Sequence, residues 1–186
     1  MRHFRRPWVW VARFRHRRGY GVHSPFAFGF IRGVVYERWP YYAFARLAHL
    51  HSWPVRLFGG YPLQCCRMLF RVANYVHPST FRLIGSMSIE RDYIKAAVPT
   101  ACQVEQGVAD LVVVEASRLS EAAQMLSQMA AGGAMILEGI HCDRLAKRMW
   151  RAIQEDKHTG ITFDLYDYGI VFFDHTRTKQ HYIVNF

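Results

Sequence analysis

The chain has 186 residues, 51% of them hydrophobic and 20% charged, a length and composition that suit one packed domain and exclude a disordered chain. Its net charge of +10 is split unevenly: residues 1–89 carry 14 Arg and a single acid, Glu37, whereas residues 90–186 carry ten Lys or Arg against 13 acids. That imbalance implies either an anionic partner for the first half or a basic helical layer docked on an acidic sheet layer.

Residues 1–18 hold seven Arg interleaved with Phe4, Trp8, Trp10 and Phe14. This basic aromatic arm suits a nucleic acid or an anionic membrane surface, and it also suits an amphipathic segment that packs its rings on the domain and leaves its Arg heads in water; the absence of any further recognition signature favours the second. From residue 19 onward a single domain is expected, with a helical layer over 19–78 and an α/β sheet over 79–186. Gly19-Tyr20-Gly21 breaks the chain, and Ser24-Pro25 reads as a helix cap followed by proline at the first helical position. Phe26, Phe30, Val34 and Val35 follow at helical spacing. Further helices are predicted over about 41–51 and 62–75, separated by Trp53-Pro54 and Gly59-Gly60.

From Thr80 the pattern changes to short apolar runs alternating with helices. Phe81 to Ile84 reads as a strand entering a glycine turn at Gly85 and then a helix, the layout that holds a nucleotide-type cofactor in α/β folds. Asp110 to Glu115 reads as a second buried strand ending in a carboxylate. Only 24 residues lie between Gly85 and Asp110, although two strand-helix-strand crossovers, each of roughly 30 residues, normally fill such an interval. Next come a helix with Ala122, Met125, Leu126, Met129 and Ala130 on one face, ended by Gly132-Gly133, and the strand Met135-Ile136-Leu137. Asp143 is placed to cap a helix whose face is Leu145, Ala146, Met149, Trp150 and Ile153. Three closely spaced strands, 161–166, 169–173 and 181–186, complete the chain, and such short connections predict antiparallel pairing. The expected sheet has about five to six strands.

Cys65, Cys66, Cys102 and Cys142 show neither zinc-site spacing nor a disulfide framework, so a reducing cytoplasmic location is expected. No apolar run approaches the roughly 20 residues that span a bilayer, and the N-terminal stretch lacks a signal-peptide core.

Arg18-Gly19-Tyr20-Gly21-Val22-His23-Ser24-Pro25-Phe26 resembles a glycine-rich GHG-HSPF-type segment found in a group of class I S-adenosylmethionine-dependent methyltransferases. Arg67 to Tyr75 looks like the helix before that group's first strand, and Gly169 to Phe173 with Lys179 to Tyr182 like its closing strands. The resemblance spans most of the chain from Arg18 onward. It implies a shortened Rossmann-like methyltransferase sheet, mostly parallel with antiparallel C-terminal strands, behind an N-terminal helical layer. The implied ancestral activity is methyl transfer from S-adenosylmethionine to a small-molecule oxygen.

Carried over residue by residue, the resemblance implies that Gly85 and Ser86 belong to the cofactor loop and that Glu105 engages the ribose. Leu83 stands where the family has the first acid of that loop, and Ile89 where it has the second glycine. The strand-end acids Glu115 and Glu138, with His141, resemble the family's catalytic segment, in which acids hold a divalent cation that lowers the acceptor hydroxyl's pKa. Gly139 replaces the second acid of that pair. Two readings of Glu115, Glu138 and His141 stay open: a cation-binding or acid-base set, or two strand-end acids and a histidine with local capping and packing roles. The losses around Gly85 carry a further reading, in which the chain is a catalytically inactive pseudoenzyme or scaffold. The sequence leaves the methyl acceptor and the oligomeric state open.

Topology bears on Glu105. Residues 101–105 and 111–115 as parallel strands of one sheet need a crossover of a dozen or more residues, and only Gln106 to Ala109 is available before the second run begins at Asp110. The expectation is therefore that 101–105 is a loop or hairpin strand, or that the family register does not hold there, and in both cases the ribose site is displaced.

Overall fold

A computed structural model describes residues 9, 11–16, 19–51 and 63–186. Most of the predicted basic arm, including Phe4, Trp8 and Trp10, and the predicted breaks at Trp53-Pro54 and Gly59-Gly60 lie outside the described residues.

Helix α1 spans Pro25–Phe30 and runs into a π-helical turn, Ile31–Val35. Ser24 caps it as predicted, its hydroxyl accepting the Ala27 N–H at 3.3 Å, which satisfies one of the first-turn donors. Short helix α2, Tyr42–Arg46, and the 14-residue α3, Leu63–Val76, complete the helical layer. The α/β part then follows as β1 (Thr80–Ile84), α4 (Ser88–Ala97), β2 (Cys102–Gln103), β3 (Ala109–Val114), α5 (Leu119–Met125), β4 (Met129–Glu138), α6 (Arg144–Glu155), β5 (Thr162–Asp164), β6 (Tyr168–Phe172) and β7 (His181–Ile183).

Among the described residues seven strands, rather than the expected five to six, form one sheet in the order β2-β1-β3-β4-β6-β5-β7, the two-residue β2 being the addition that the pattern did not show. Side chains alternate across it with the strand period of two. Phe81, Leu111, Val113, Ile136 and Phe172 face α1, α3 and α4, where Phe30, Met68, Leu69 and Ile94 meet them. Val112, Val114, Met135, Leu137 and Val171 face the other way, onto Leu119 and Ala122 of α5 and Ala146, Trp150 and Ile153 of α6. The result is a helix-sheet-helix sandwich, a mixed α/β, Rossmann-like arrangement as expected from the sequence.

Three local expectations are revised. Gly132-Gly133 does not end a helix: α5 stops at Met125, a 3-10 turn covers Leu126–Gln128, and both glycines lie within β4. Gly132 has φ +80°, a Cβ on Gly133 would lie 2.7 Å from the Asp110 carbonyl, and the β3–β4 register shifts between Ala109 and Leu111. These glycines therefore make a bulge with close backbone approach. Second, β5 and β6 pair antiparallel as predicted, but β7 pairs parallel to β5 on its far side. The linker 173–180 is long enough to carry the chain past β5. Third, Leu145 is 57% exposed, so the packed face of α6 is Ala146, Met149, Trp150 and Ile153, with Asp143 capping the Ala146 N–H at 2.7 Å.

The stretch after α4 resolves the topological difficulty. Residues 102 and 103 do form a parallel strand, paired to Thr80 and Phe81, while β3 pairs parallel to β1 on its other side. Five residues, 104–108, carry the chain across β1 because β2 is only two residues long and sits at the start of β1. Val104 packs on the α5–α6 side of the sheet. Arg82, buried on that same side, donates to the Gly107 carbonyl, to Gln128 Oε1 at 2.7 Å and to Met125 Sδ at 3.1 Å. Gly107 has φ +89°, which lets the link turn so tightly. Asp110 fastens the other end, its Oδ2 accepting from Ser79 N at 2.9 Å, Thr80 N at 2.8 Å and Thr80 Oγ1 at 3.1 Å.

Candidate functional site

Parallel β1, β3 and β4 end at one rim of the sheet, where ligands of open α/β folds bind. Register places Ile84 beside Val114 and Val114 beside Leu137, so the next residues, Gly85, Glu115 and Glu138, come together there. The structure thus gathers three of the six residues singled out from the sequence, and Ser86 follows directly.

Gly85 has φ +128°, and a Cβ added to it would lie 2.6 Å from the Cβ of Glu115. The glycine is required because the Glu115 side chain lies against the turn. Its Oε2 accepts the Ser86 N–H at 3.0 Å. Glu138 is buried at 8% exposure.

Sequence reasoning missed a third acid. Glu90, in the first turn of α4, is 6% exposed, and burial pushes its carboxyl above the ordinary range, with the Glu115 charge adding to the rise. Burial likewise pushes the Cys66 thiol of α3 far up, and Glu90, Cys65 and Glu138 reinforce it. Glu90 and Glu138 thus both act on Cys66, and Glu115 acts on Glu90. In the sequence Glu90 reads as an ordinary first-turn acid that complements the helix dipole, so no pattern set it apart.

The remaining two predicted residues lie elsewhere. Glu105 is exposed on the bend that follows β2. His141 is turned to a different cluster: its Nε2 lies 2.7 Å from Asp164 Oδ2 and 3.4 Å from Arg13 Nη2, and its ring stacks on Tyr166 at 5.1 Å. Arg13 Nη1 donates to Asp164 Oδ1 at 2.8 Å and its guanidinium lies 5.1 Å from the Tyr166 ring centroid. Burial alone raises the Asp164 carboxyl, but the hydrogen bonds from His141 and Arg13 and their charges outweigh it and hold the group at about 2. Among the described residues no group of three or more His, Cys, Asp or Glu side chains is placed to hold a metal ion. Arg13 belongs to the predicted arm, yet it is anchored in the domain rather than held out in solvent, with its side chain 14% exposed.

Among the described residues no helix is long and apolar enough to cross a membrane. No family model matches the chain, and no curated protein matches it. Among solved structures the chain is similar to the O-methyltransferase TomG from Streptomyces achromogenes, which is involved in tomaymycin synthesis and was solved in complex with S-adenosylmethionine. The TM-score is 0.50 at 12% sequence identity, over 73% of this chain and 91% of that one. The likeness shows that this chain has a methyltransferase fold.

Proposed function

We propose that the chain is a divergent methyltransferase-fold protein, descended from an enzyme that moved a methyl group from S-adenosylmethionine to a small-molecule oxygen, and that it now acts without catalysis as a binding protein. The observation that carries this reading is the contact of Glu115 with the glycine turn. The Ser86 N–H and the space freed by Gly85 are what the resemblance assigns to the cofactor's methionine end, and here the chain's own carboxylate takes both. Two further features support it. The five-residue link 104–108 replaces the helix-strand-helix that would wall the adenine side, and Leu83 stands in place of the loop acid. The residues present do not fit S-adenosylmethionine. They do not fit a divalent cation either, since His141 is committed to Asp164 and Arg13.

Isothermal titration with S-adenosylmethionine and S-adenosylhomocysteine at millimolar concentration tests the reading. No heat and no thermal shift is the expected outcome; saturable binding of either compound overturns it.

A second reading, retained methyl transfer, is favoured by one observation: Gly85 keeps the positive φ of a cofactor turn, and Glu115 and Glu138 remain at adjacent strand ends. It requires Glu115 to leave Ser86 when the cofactor enters. Transfer of a labelled methyl group to any hydroxylated acceptor would establish it. For the arm, we propose a role in tethering as well as any contact with an anionic nucleic acid or membrane surface. If deletion of residues 1–18 leaves retention on heparin and on anionic vesicles unchanged, the arm is not the binding element.

A further inference from the structure

A concavity lies away from the glycine turn. The segment that follows the π-helical turn, the first turns of α3 and the residues after β7 enclose an open cavity of about 690 Å³, within the range that holds a small molecule. Its charged side chains are Arg38, Arg67 and Arg71 against one acid, Glu37. That leaves an excess of two positive charges.

The roles of these four groups differ. Arg71 is buried at 6% exposure and spends its donors on the wall itself, giving Nε to the Val34 carbonyl at 2.6 Å and Nη2 to the Val35 carbonyl at 3.1 Å. Glu37 is turned to the Tyr41 hydroxyl, which donates to its two oxygens at 3.0 and 2.9 Å. Tyr36 donates to the Asn185 carbonyl and ties the wall to the end of the sheet. These contacts set a fixed frame around two guanidinia that remain exposed. Arg38 and Arg67 have no carboxylate within ion-pair distance among the described residues. Arg67 lies over the Phe44 ring, 5.0 Å from its centroid, and Trp39 beside Arg38 is 73% exposed.

We infer that this cavity binds a small planar aromatic acid, with its anionic group on Arg38 and Arg67 and its ring against the exposed Trp39, while buried Phe44 holds Arg67 in place from behind. Guanidinium forks bind carboxylates and phosphates with paired, charge-assisted hydrogen bonds. The exposed indole of Trp39 beside them adds stacking surface that a simple inorganic anion does not use. The site uses neither Gly85 nor Glu115, so it is independent of the outcome for S-adenosylmethionine. It also gives part of the Arg excess of residues 1–89 a specific use.

The test uses the full chain and two probes of equal size and ring system, anionic 1-naphthoate and neutral 1-naphthamide, titrated by calorimetry. The expected result is saturable one-to-one binding of 1-naphthoate, weaker by about tenfold or more for 1-naphthamide and for the Arg38→Ala/Arg67→Ala variant. Trp39→Ala weakens 1-naphthoate without affecting the fold, as circular dichroism checks, while Arg151→Ala on the opposite helical layer changes nothing. Amide chemical shifts of the unsubstituted protein provide a readout that needs no variant: 1-naphthoate moves residues 36–39 and 63–67. Absence of saturable binding, equal binding of the two probes, or shifts confined to other residues overturns the inference.

Discussion

Glu115 lies over Gly85, with its Cβ 2.6 Å from where a Cβ of residue 85 would stand and its Oε2 on the Ser86 N–H at 3.0 Å. A strand-end acid and a glycine turn, 30 residues apart in the chain, thus lock onto one another at the rim where this fold elsewhere receives ligands. Because each needs the other's shape, the pair has to be tested together.

Gly85→Ala combines a positive φ with a collision against Glu115, and the expected cost is about 2–3 kcal/mol in urea denaturation. Glu115→Ala does not rescue it, since the Glu115 Cβ remains in place; Glu115→Gly recovers part of the loss. Glu115→Ala alone costs less than about 1 kcal/mol, because the exposed Ser86 N–H then turns to water. A Gly85→Ala protein as stable as the unsubstituted chain would contradict the packing described.

Asp164 makes stability depend on acid in a defined window. Its carboxyl is held at about 2 against an ordinary value of 3.8, so it is lowered on folding. The contribution is complete above the unfolded value, at neutral pH, and disappears as pH falls through about 4 toward 2. Asp164→Asn is expected to cost about 2 kcal/mol at neutral pH, and the gap between the two proteins' urea midpoints closes across that window. Arg13→Ala reproduces part of the loss, as it removes a 2.8 Å ion pair. A gap that persists unchanged below pH 2 would mean that Asp164 acts through packing and not charge.

The sheet and its layers were legible because period-two and period-3.6 patterns do not depend on distant residues: Phe81–Ile84, Leu111–Val114 and the caps Ser24 and Asp143 all read correctly. Gly132-Gly133 misled because a glycine pair signals a helix end and a strand bulge equally well, and only the approach to Asp110 decides between them. The 104–108 link was illegible since the crossover rule assumes strands of ordinary length, and β2 has two residues. The anchoring of Arg13 on Asp164, 151 residues away, leaves no local trace at all. Nor does the burial of Glu90, which depends on how α4 sits against α2 and α3.

Glu90 gives a pH effect of opposite sign. Burial, reinforced by Glu115, raises its carboxyl above the ordinary range. Its contribution to stability is therefore full below the unfolded value and lost as pH rises, so the ionised group is a cost at neutral pH. Glu90→Gln is expected to raise the urea midpoint near pH 7 and to leave it unchanged near pH 3, where both side chains are neutral. A lowered midpoint at pH 7 would place Glu90 in a stabilising contact that its raised carboxyl does not allow.

Arg82 tests the shortened topology itself. Its guanidinium holds Gly107, Gln128 and Met125 around the link, yet its Nε is buried with no hydrogen-bond partner among the described residues. Arg82→Met removes the bonds and also removes an incompletely satisfied buried cation, so the two effects oppose one another in global stability. The net change is expected to stay within about 2 kcal/mol. Local behaviour separates the two effects. Hydrogen exchange at residues 104–108 should accelerate by about tenfold, corresponding to about 1.4 kcal/mol of easier local opening, with β4 amides unchanged. If protection of the link is unmoved while the whole sheet exchanges faster, Arg82 is part of the core only, and the link is held by Val104 and Asp110 alone.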